Sequence, residues 1–94
     1  MAVSKTIFIT GGASGIGRAV AVKFGREGWF VGLADVNEAG MRETAAMLPA
    51  SKSSIHKLDV RDREAWDSAL AACATASGGR IDAMFNNAGI PLGG

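Results

Sequence analysis

Short apolar runs alternate along the chain with longer segments in which apolar residues recur every three or four positions. The short runs are typical of strands buried in a parallel sheet, and the longer spacing is typical of helices. The pattern predicts four strands, at residues 5–10, 29–34, 55–60 and 81–86. It predicts three helices between them, at residues 16–27, 38–48 and 62–76.

The predicted order of elements is therefore β-α-β-α-β-α-β. Strands that alternate with helices form right-handed crossovers, which give a parallel sheet with helices on both faces. We therefore expect an α/β fold, part of a doubly wound sheet of the Rossmann type. Ligands of such sheets bind beyond the carboxyl ends of the strands. These ends carry glycine or polar residues at 10–12, 34–35, 59–60 and 86–89.

Composition narrows the class of partner. The 94 residues suffice for one domain at most, and a net charge of +1 gives no signature of a nucleic-acid or membrane partner. Cys73 is the single cysteine, so we expect no disulfide, no metal site and a buried thiol in a cytoplasmic protein. No segment has the composition of a secretion signal or a membrane span.

The exit of the first strand reads TGGASGIG, residues 10–17, and is unusually rich in glycine. The spacing of Gly11, Gly15 and Gly17 suits a tight turn, a close approach of phosphate to the backbone, and a helix packed closely on the sheet. The N–H groups at the start of the following helix would attract an anion. The alternative is a tight turn that binds nothing.

Asp35 follows the second strand, eighteen positions after Gly17. A carboxylate at about this separation accepts a hydrogen bond from a ribose 2′-hydroxyl and repels a 2′-phosphate. Position 14, just before Gly15, is a serine and offers no cation. These features favour NAD over NADP. The competing interpretation makes Asp35 a cap or turn residue for the next helix.

Asp59 and Val60 follow the third strand. Asp59 could accept a hydrogen bond from an adenine amino group, with Val60 beside the ring. The alternative is a turn carboxylate, but Asp62 is the better helix cap because it directly precedes the charged pair Arg63 and Glu64. His56 lies within the third strand and is interpreted as a packed or edge residue.

Together, TGGASGIG, LDV at 58–60 and NNAG at 86–89 resemble three motifs of the classical branch of the short-chain dehydrogenase/reductase family. The resemblance extends from residue 5 to residue 90. It implies a site for the nicotinamide dinucleotide and an alcohol or carbonyl substrate, with Asn86 in a structural role through side-chain to backbone hydrogen bonds. The implied cofactor-binding residues are Gly11, Ser14, Gly15, Ile16, Gly17, Asp35, Asp59, Val60, Asn87, Ala88 and Gly89.

The chain departs from the family where the chemistry takes place. Family members use a tyrosine, a lysine and a serine in catalysis, but this sequence contains no tyrosine and ends soon after the fourth strand. We therefore expect the N-terminal cofactor-binding portion of one domain, inactive alone and prone to self-association through its open sheet edge. A stand-alone nucleotide-binding module is the alternative, and a methyltransferase-like domain, which does not require NNAG, is a third.

Overall fold

The computed structural model describes residues 5–87 and contains the seven predicted elements in the predicted order. The α/β fold class is therefore confirmed. No helix among these residues combines the length and the apolar character needed to cross a membrane. In chain order the elements are β1 (Thr6–Thr10), α1 (Gly15–Arg26), β2 (Phe30–Asp35), α2 (Glu38–Ala46), β3 (Ser53–Lys57), α3 (Arg63–Ser77) and β4 (Ala83–Asn86).

The four strands form one parallel sheet in the order β3-β2-β1-β4. Every residue of β1 is buried, because this central strand is covered on both faces and paired on both edges. Its continuous apolar run is what a doubly covered strand requires. Since all strands run the same way, their carboxyl ends lie at one edge of the sheet.

Two apolar clusters, one on each face of the sheet, form the core. The residues on the face covered by α1 and α2 include Ile7, Ile9, Val31, Leu33 and Met41. Those on the face covered by α3 include Phe8, Phe30, Ala34, Leu58 and Cys73. Cys73 is fully buried, as predicted, and burial raises the pKa of its thiol. Odd and even positions of β1 therefore face different helix layers.

Side-chain caps fix the starts of α2 and α3. Asn37 accepts a hydrogen bond from the Gly40 N–H at 3.0 Å, and Asp62 accepts one from the Ala65 N–H at 3.1 Å. The prediction that Asp62 caps the third helix is confirmed. Asn37 rather than Asp35 caps α2, so the cap half of the alternative for Asp35 was wrong, whereas its turn half is confirmed because Asp35 Oδ1 accepts from the Asn37 N–H.

The third strand is shifted from its predicted position. It covers Ser53–Lys57 rather than residues 55–60. Because β3 is the edge strand and is only partly buried, it needs no continuous apolar run. Its polar first residues, Ser53 and Ser54, do not resemble a buried strand, so the pattern of apolar residues missed them. Leu58 still donates its N–H to the Asp35 carbonyl at 3.0 Å, after which the chain turns away from the sheet.

His56 lies on β3 and faces the α3 side of the sheet. Its Nε2 lies 2.7 Å from the Ser54 hydroxyl, and its ring centroid lies 5.9 Å from that of Phe8. Partial burial lowers the pKa of the imidazole below its ordinary value of 6.5. The residue is half-buried on an edge strand, in agreement with the interpretation from the sequence.

This environment predicts acid sensitivity. The unfolded chain takes up a proton on His56 near pH 6.5, whereas the folded chain takes it up only at lower pH. The stability is therefore complete above this pH and falls as the pH decreases through it. We expect the urea midpoint to decrease between about pH 7.5 and about pH 5.5, with a smaller decrease in His56→Gln. Equal decreases in both proteins would contradict the assignment.

Candidate functional site

The ends of β1, β2 and β4 meet at the carboxyl edge of the sheet. Thr10 is paired in register with Ala34 on one side and with Asn86 on the other. The Thr10 hydroxyl donates to Asn86 Oδ1 at 2.9 Å. Asn86 is thus a structural residue, but its bond shown here is to a side chain rather than to the expected backbone. The carboxyl ends of these strands are therefore held side by side.

The glycine-rich segment folds over the end of β2. The N–H groups of Gly11 and Gly12 both donate to the Ala34 carbonyl, at 2.8 and 3.2 Å. A Cβ on Gly12 would lie 2.8 Å from Leu33 Cδ2 and 3.2 Å from Leu33 Cβ, so either Leu33 or the loop would have to shift. The loop is therefore part of the packed sheet edge and has a defined position.

Gly15 and Gly17 have different structural roles at the start of α1. Gly15 has a φ of +59°, and a Cβ there would meet no atom of residues 5–87 within 4 Å. Among these residues, none occupies the space above Gly15. A Cβ on Gly17 would overlap the carbonyl of Gly11, so only glycine allows the helix to start this close to the strand end. Gly17 thus makes the close helix contact that the spacing predicted, and the φ of +73° at Gly11 suits the turn predicted there.

The N-terminus of α1 lacks the features that cap the other two helices. The Ser14 side chain makes no capping hydrogen bond, and the first turn contains no acidic residue. The first turns of α2 and α3 contain Glu38 and Glu64, respectively, beside their side-chain caps. The first N–H groups of α1 therefore keep their capacity to donate, together with the positive end of the helix dipole.

Asp35 connects the end of β2 to the glycine-rich loop. Its Oδ2 accepts from the Ala13 N–H at 3.1 Å, and its Oδ1 accepts from the Asn37 N–H at 3.0 Å. Each carboxylate oxygen can accept a second hydrogen bond. Asp35 can therefore hold the loop and still accept from a hydroxyl group above the sheet edge.

Val36 was not selected from the sequence, although it lies beside Asp35. Its side chain is 60% exposed, and Ile16 near the start of α1 is 66% exposed. The sequence does not show exposure, and single exposed apolar residues are common on protein surfaces, so no signal in the sequence would have selected Val36. Two apolar side chains therefore border the open end of α1 and β2.

Asp59 and Val60 lie in the turn that follows β3. Asp59 accepts three hydrogen bonds from Arg61, from its N–H, Nε and Nη2, at 2.9 to 3.1 Å. The side-chain hydrogen bonds from Arg61 lower the Asp59 pKa to about 2. Oδ1 accepts two of these bonds and Oδ2 only one, so Oδ2 has room for a further donor.

A cavity of about 430 Å³ lies beside Val60. Its other lining residues are contributed by Arg61 and the first two turns of α3, and they include Trp66 and Leu70. The Trp66 indole donates to the Val60 carbonyl at 2.6 Å, which fixes the turn against the helix. The cavity thus combines the apolar Val60, Trp66 and Leu70 with the charged Arg61, Arg63 and Asp67.

The last predicted site residues lie after β4. Asn87 is exposed, and its Nδ2 lies 3.3 Å from the position that a Cβ on Gly17 would occupy, so it borders the start of α1. Ala88 and Gly89 lie outside the described residues. Within residues 5–87, His, Cys, Asp and Glu side chains form no group of three that could hold a metal ion.

Comparison with known proteins identifies the family. A family model described as short chain dehydrogenase matches residues 5–94. Levodione reductase of Leifsonia aquatica is 40% identical over 90 residues, which are 92% of this chain and 33% of that protein. Meso-2,3-butanediol dehydrogenase of Serratia marcescens is 36% identical over 91 residues, which are 97% of this chain and 36% of that protein. The chain spans about a third of the length of these relatives.

Solved structures show the same fold. The crystal structure of a levodione reductase matches with a TM-score of 0.84 and 37% identity, over 92% of this chain and 34% of that chain. A 3-ketoacyl-(acyl-carrier-protein) reductase from Brucella melitensis, complexed with NADH, matches with a TM-score of 0.80 and 25% identity. That match covers 88% of this chain and 34% of the other.

The glycine geometry predicts unequal costs for added side chains. Gly17→Ala should destabilise the chain by about 3 kcal/mol, because the new methyl group overlaps a backbone carbonyl. Gly15→Ala should cost only about 1 kcal/mol, from its positive φ in open space. Gly28→Ala is the matched control, since Gly28 also combines a positive φ with open space. Urea unfolding measures all three, and equal losses for Gly15→Ala and Gly17→Ala would contradict the geometry.

Proposed function

Since this chain belongs to the short-chain dehydrogenase/reductase family, we propose that it forms the NAD(H)-binding portion of an oxidoreductase. The complete enzyme would transfer hydride between the nicotinamide cofactor and an alcohol or carbonyl substrate. The observation that carries the proposal is the uncapped start of α1, open above Gly15 and adjacent to Asp35. A phosphate-binding helix end beside a carboxylate suits a dinucleotide.

The pyrophosphate would lie above Gly15, against the first N–H groups of α1. This position combines open space, donors without capping partners and a first turn without acidic residues. Gly11 and Gly17 support it from below by allowing the helix to start close to the sheet. The exposed Ser14 and Ile16 flank the same opening and would contact the cofactor.

The surroundings of Asp35 support a preference for NAD over NADP. Its carboxylate would accept from the adenosine ribose and repel a 2′-phosphate. Arg18 is already bonded to backbone and side-chain acceptors, and Val36 presents an apolar surface. Lys57, the partner of Asp35 across the β2–β3 pair, is the basic residue on which binding of NADP would depend. The contribution of Lys57 to NADPH binding can be measured separately from that of Asp35.

The adenine would lie against Val60, with its amino group donating to Asp59 Oδ2. The unfilled acceptor position on this oxygen supports the assignment, and Arg61 keeps the carboxylate ionised over the physiological range. The nicotinamide end would pass near Asn87, Ala88 and Gly89. We propose a cytoplasmic location, because the buried Cys73 is a free thiol.

We infer that these 94 residues bind the cofactor and do not catalyse the reaction. The sequence contains no tyrosine, so the proton donor that the resemblance implies is not among them. The imidazole of His56 does not replace this donor in the proposal, because it is half-buried on the edge strand β3 and its Nε2 is hydrogen-bonded to Ser54. A stand-alone nucleotide-binding module remains the second candidate, supported by the same open helix end.

Titration with NADH and NADPH tests the proposal. The chain should bind NADH at about micromolar concentration. Asp35→Asn should weaken NADH binding about tenfold, through loss of a charged acceptor, and should weaken NADPH binding less. Lys57→Gln should affect NADPH more than NADH, because it removes the cation at the position paired with Asp35 in the sheet.

Glu27→Gln is the control, because it removes one exposed carboxylate at the far end of α1. Its affinity for both cofactors should equal that of the unmodified chain. Binding of neither cofactor would overturn the proposed function. Equal effects of Asp35→Asn and Glu27→Gln would overturn the role of Asp35 alone.

We further propose that the isolated chain self-associates through β4. Within residues 5–87, β4 pairs with β1 on one edge, and Met84 on this strand is 51% exposed. An open apolar strand edge is a template for pairing with another chain.

Sedimentation at increasing concentration tests this second proposal. Met84→Lys should shift the chain towards monomer, since a charge on the edge opposes strand pairing. Met47→Lys, which places the same charge at an equally exposed site after α2, should leave association unchanged. A monomeric unmodified chain, or equal behaviour of both variants, would contradict the proposal.

A further inference from the structure

Arg18, in the first turns of α1, bridges the glycine-rich loop and α2. Its Nη2 donates to the Ala13 carbonyl at 2.6 Å and to the Gly40 carbonyl at 3.1 Å. Its Nε donates to the Thr44 hydroxyl at 2.9 Å. An ion pair with Glu43 at 3.2 Å completes the set. One guanidinium therefore bonds acceptors on the loop and on α2.

The residue held by this bridge is Ala13, in the centre of the loop. Its N–H donates to Asp35, and its carbonyl accepts from Arg18, so charged groups hold Ala13 from both sides. A Cβ on Gly40 would lie 2.8 Å from Ala13 Cβ and 2.9 Å from its carbonyl oxygen, which leaves no space between the loop and α2. The backbone position of Ala13 is thus fixed by packing and by two charged partners.

The arrangement needs a guanidinium rather than any positive charge. The acceptors lie on different segments, and the planar fork of arginine reaches them with two of its nitrogens. The Arg18 side chain is 25% exposed, whereas Arg42 on α2 is 68% exposed and pairs with Glu38 on its own helix. Arg42 offers a matched arginine, since its partner Glu38 lies outside the loop.

We propose that Arg18 is a positioning residue for the cofactor: it holds Ala13, and through it Ser14 and the start of α1, in the geometry that receives the pyrophosphate. This inference rests on the proposed function. Its Nε and Nη2 donors serve this role within the protein, in contacts with Thr44, Ala13 and Gly40. Loss of the guanidinium would loosen the loop while the sheet and both core clusters remain.

The test compares Arg18→Met, Arg18→Lys and Arg42→Met by amide hydrogen exchange without ligand and by NADH titration. Arg18→Met should exchange the Ala13 amide at least about tenfold faster and weaken NADH binding about tenfold, as expected for loss of one charge-assisted hydrogen bond. For Arg18→Lys, the Ala13 exchange rate and the NADH affinity should both lie between those of Arg18→Met and those of the unmodified chain. Arg42→Met should match the unmodified chain in both measurements.

Added ethylguanidinium should restore part of the NADH affinity of Arg18→Ala, which a purely structural defect would not show. Protection of the amides in β1 and β2 against exchange reports whether each variant is folded. If Arg18→Met is unfolded, the comparison of Arg18→Lys with the unmodified chain provides the test. Unchanged Ala13 exchange and unchanged NADH affinity in a folded Arg18 variant would overturn the inference. Absence of NADH binding by the unmodified chain overturns the proposed function instead, while Ala13 exchange still tests the bridge.

Discussion

The absence of space for a side chain between the Gly11 carbonyl and the Gly17 Cα is the constraint on which the site depends. Because Gly17 has no side chain, α1 can begin directly above the end of β1, the central strand of the sheet. A larger residue at position 17 would displace the helix from the strand end, and the N–H groups of its first turn would move with it. Backbone packing therefore sets where the first N–H groups of α1 lie.

Charged groups refine the position that packing sets. Asp35 bonds the Ala13 N–H and Arg18 bonds its carbonyl, so β2 and α1 both contribute to the conformation of the loop after β1, while α2 holds Arg18 through the Gly40 carbonyl. The structure leaves α1 without the side-chain cap that the other two helices have, and a missing cap costs about 1 kcal/mol. A bound phosphate would supply the missing acceptor, which connects the stability of the helix to the function of the site.

The sequence predicted the order of strands and helices correctly, because each element has its own local spacing of apolar residues. It placed β1 correctly within one residue, since a central strand must be apolar throughout. It misplaced β3, because an edge strand is under no such requirement. The Asp59–Arg61 pair and the contacts of Arg18 could not be predicted: a turn conformation brings the first together, and a tertiary contact between two helices and a loop forms the second.

Backbone amide shifts during titration with NADH test the central claim most directly. If the uncapped end of α1 receives the pyrophosphate, the amides of Gly15, Ile16 and Gly17 should shift strongly and saturably. The amides at the capped starts of α2 and α3, represented by Gly40 and Ala65, should shift much less. Saturable shifts at those two capped helix starts with no change at residues 15–17 would contradict the account.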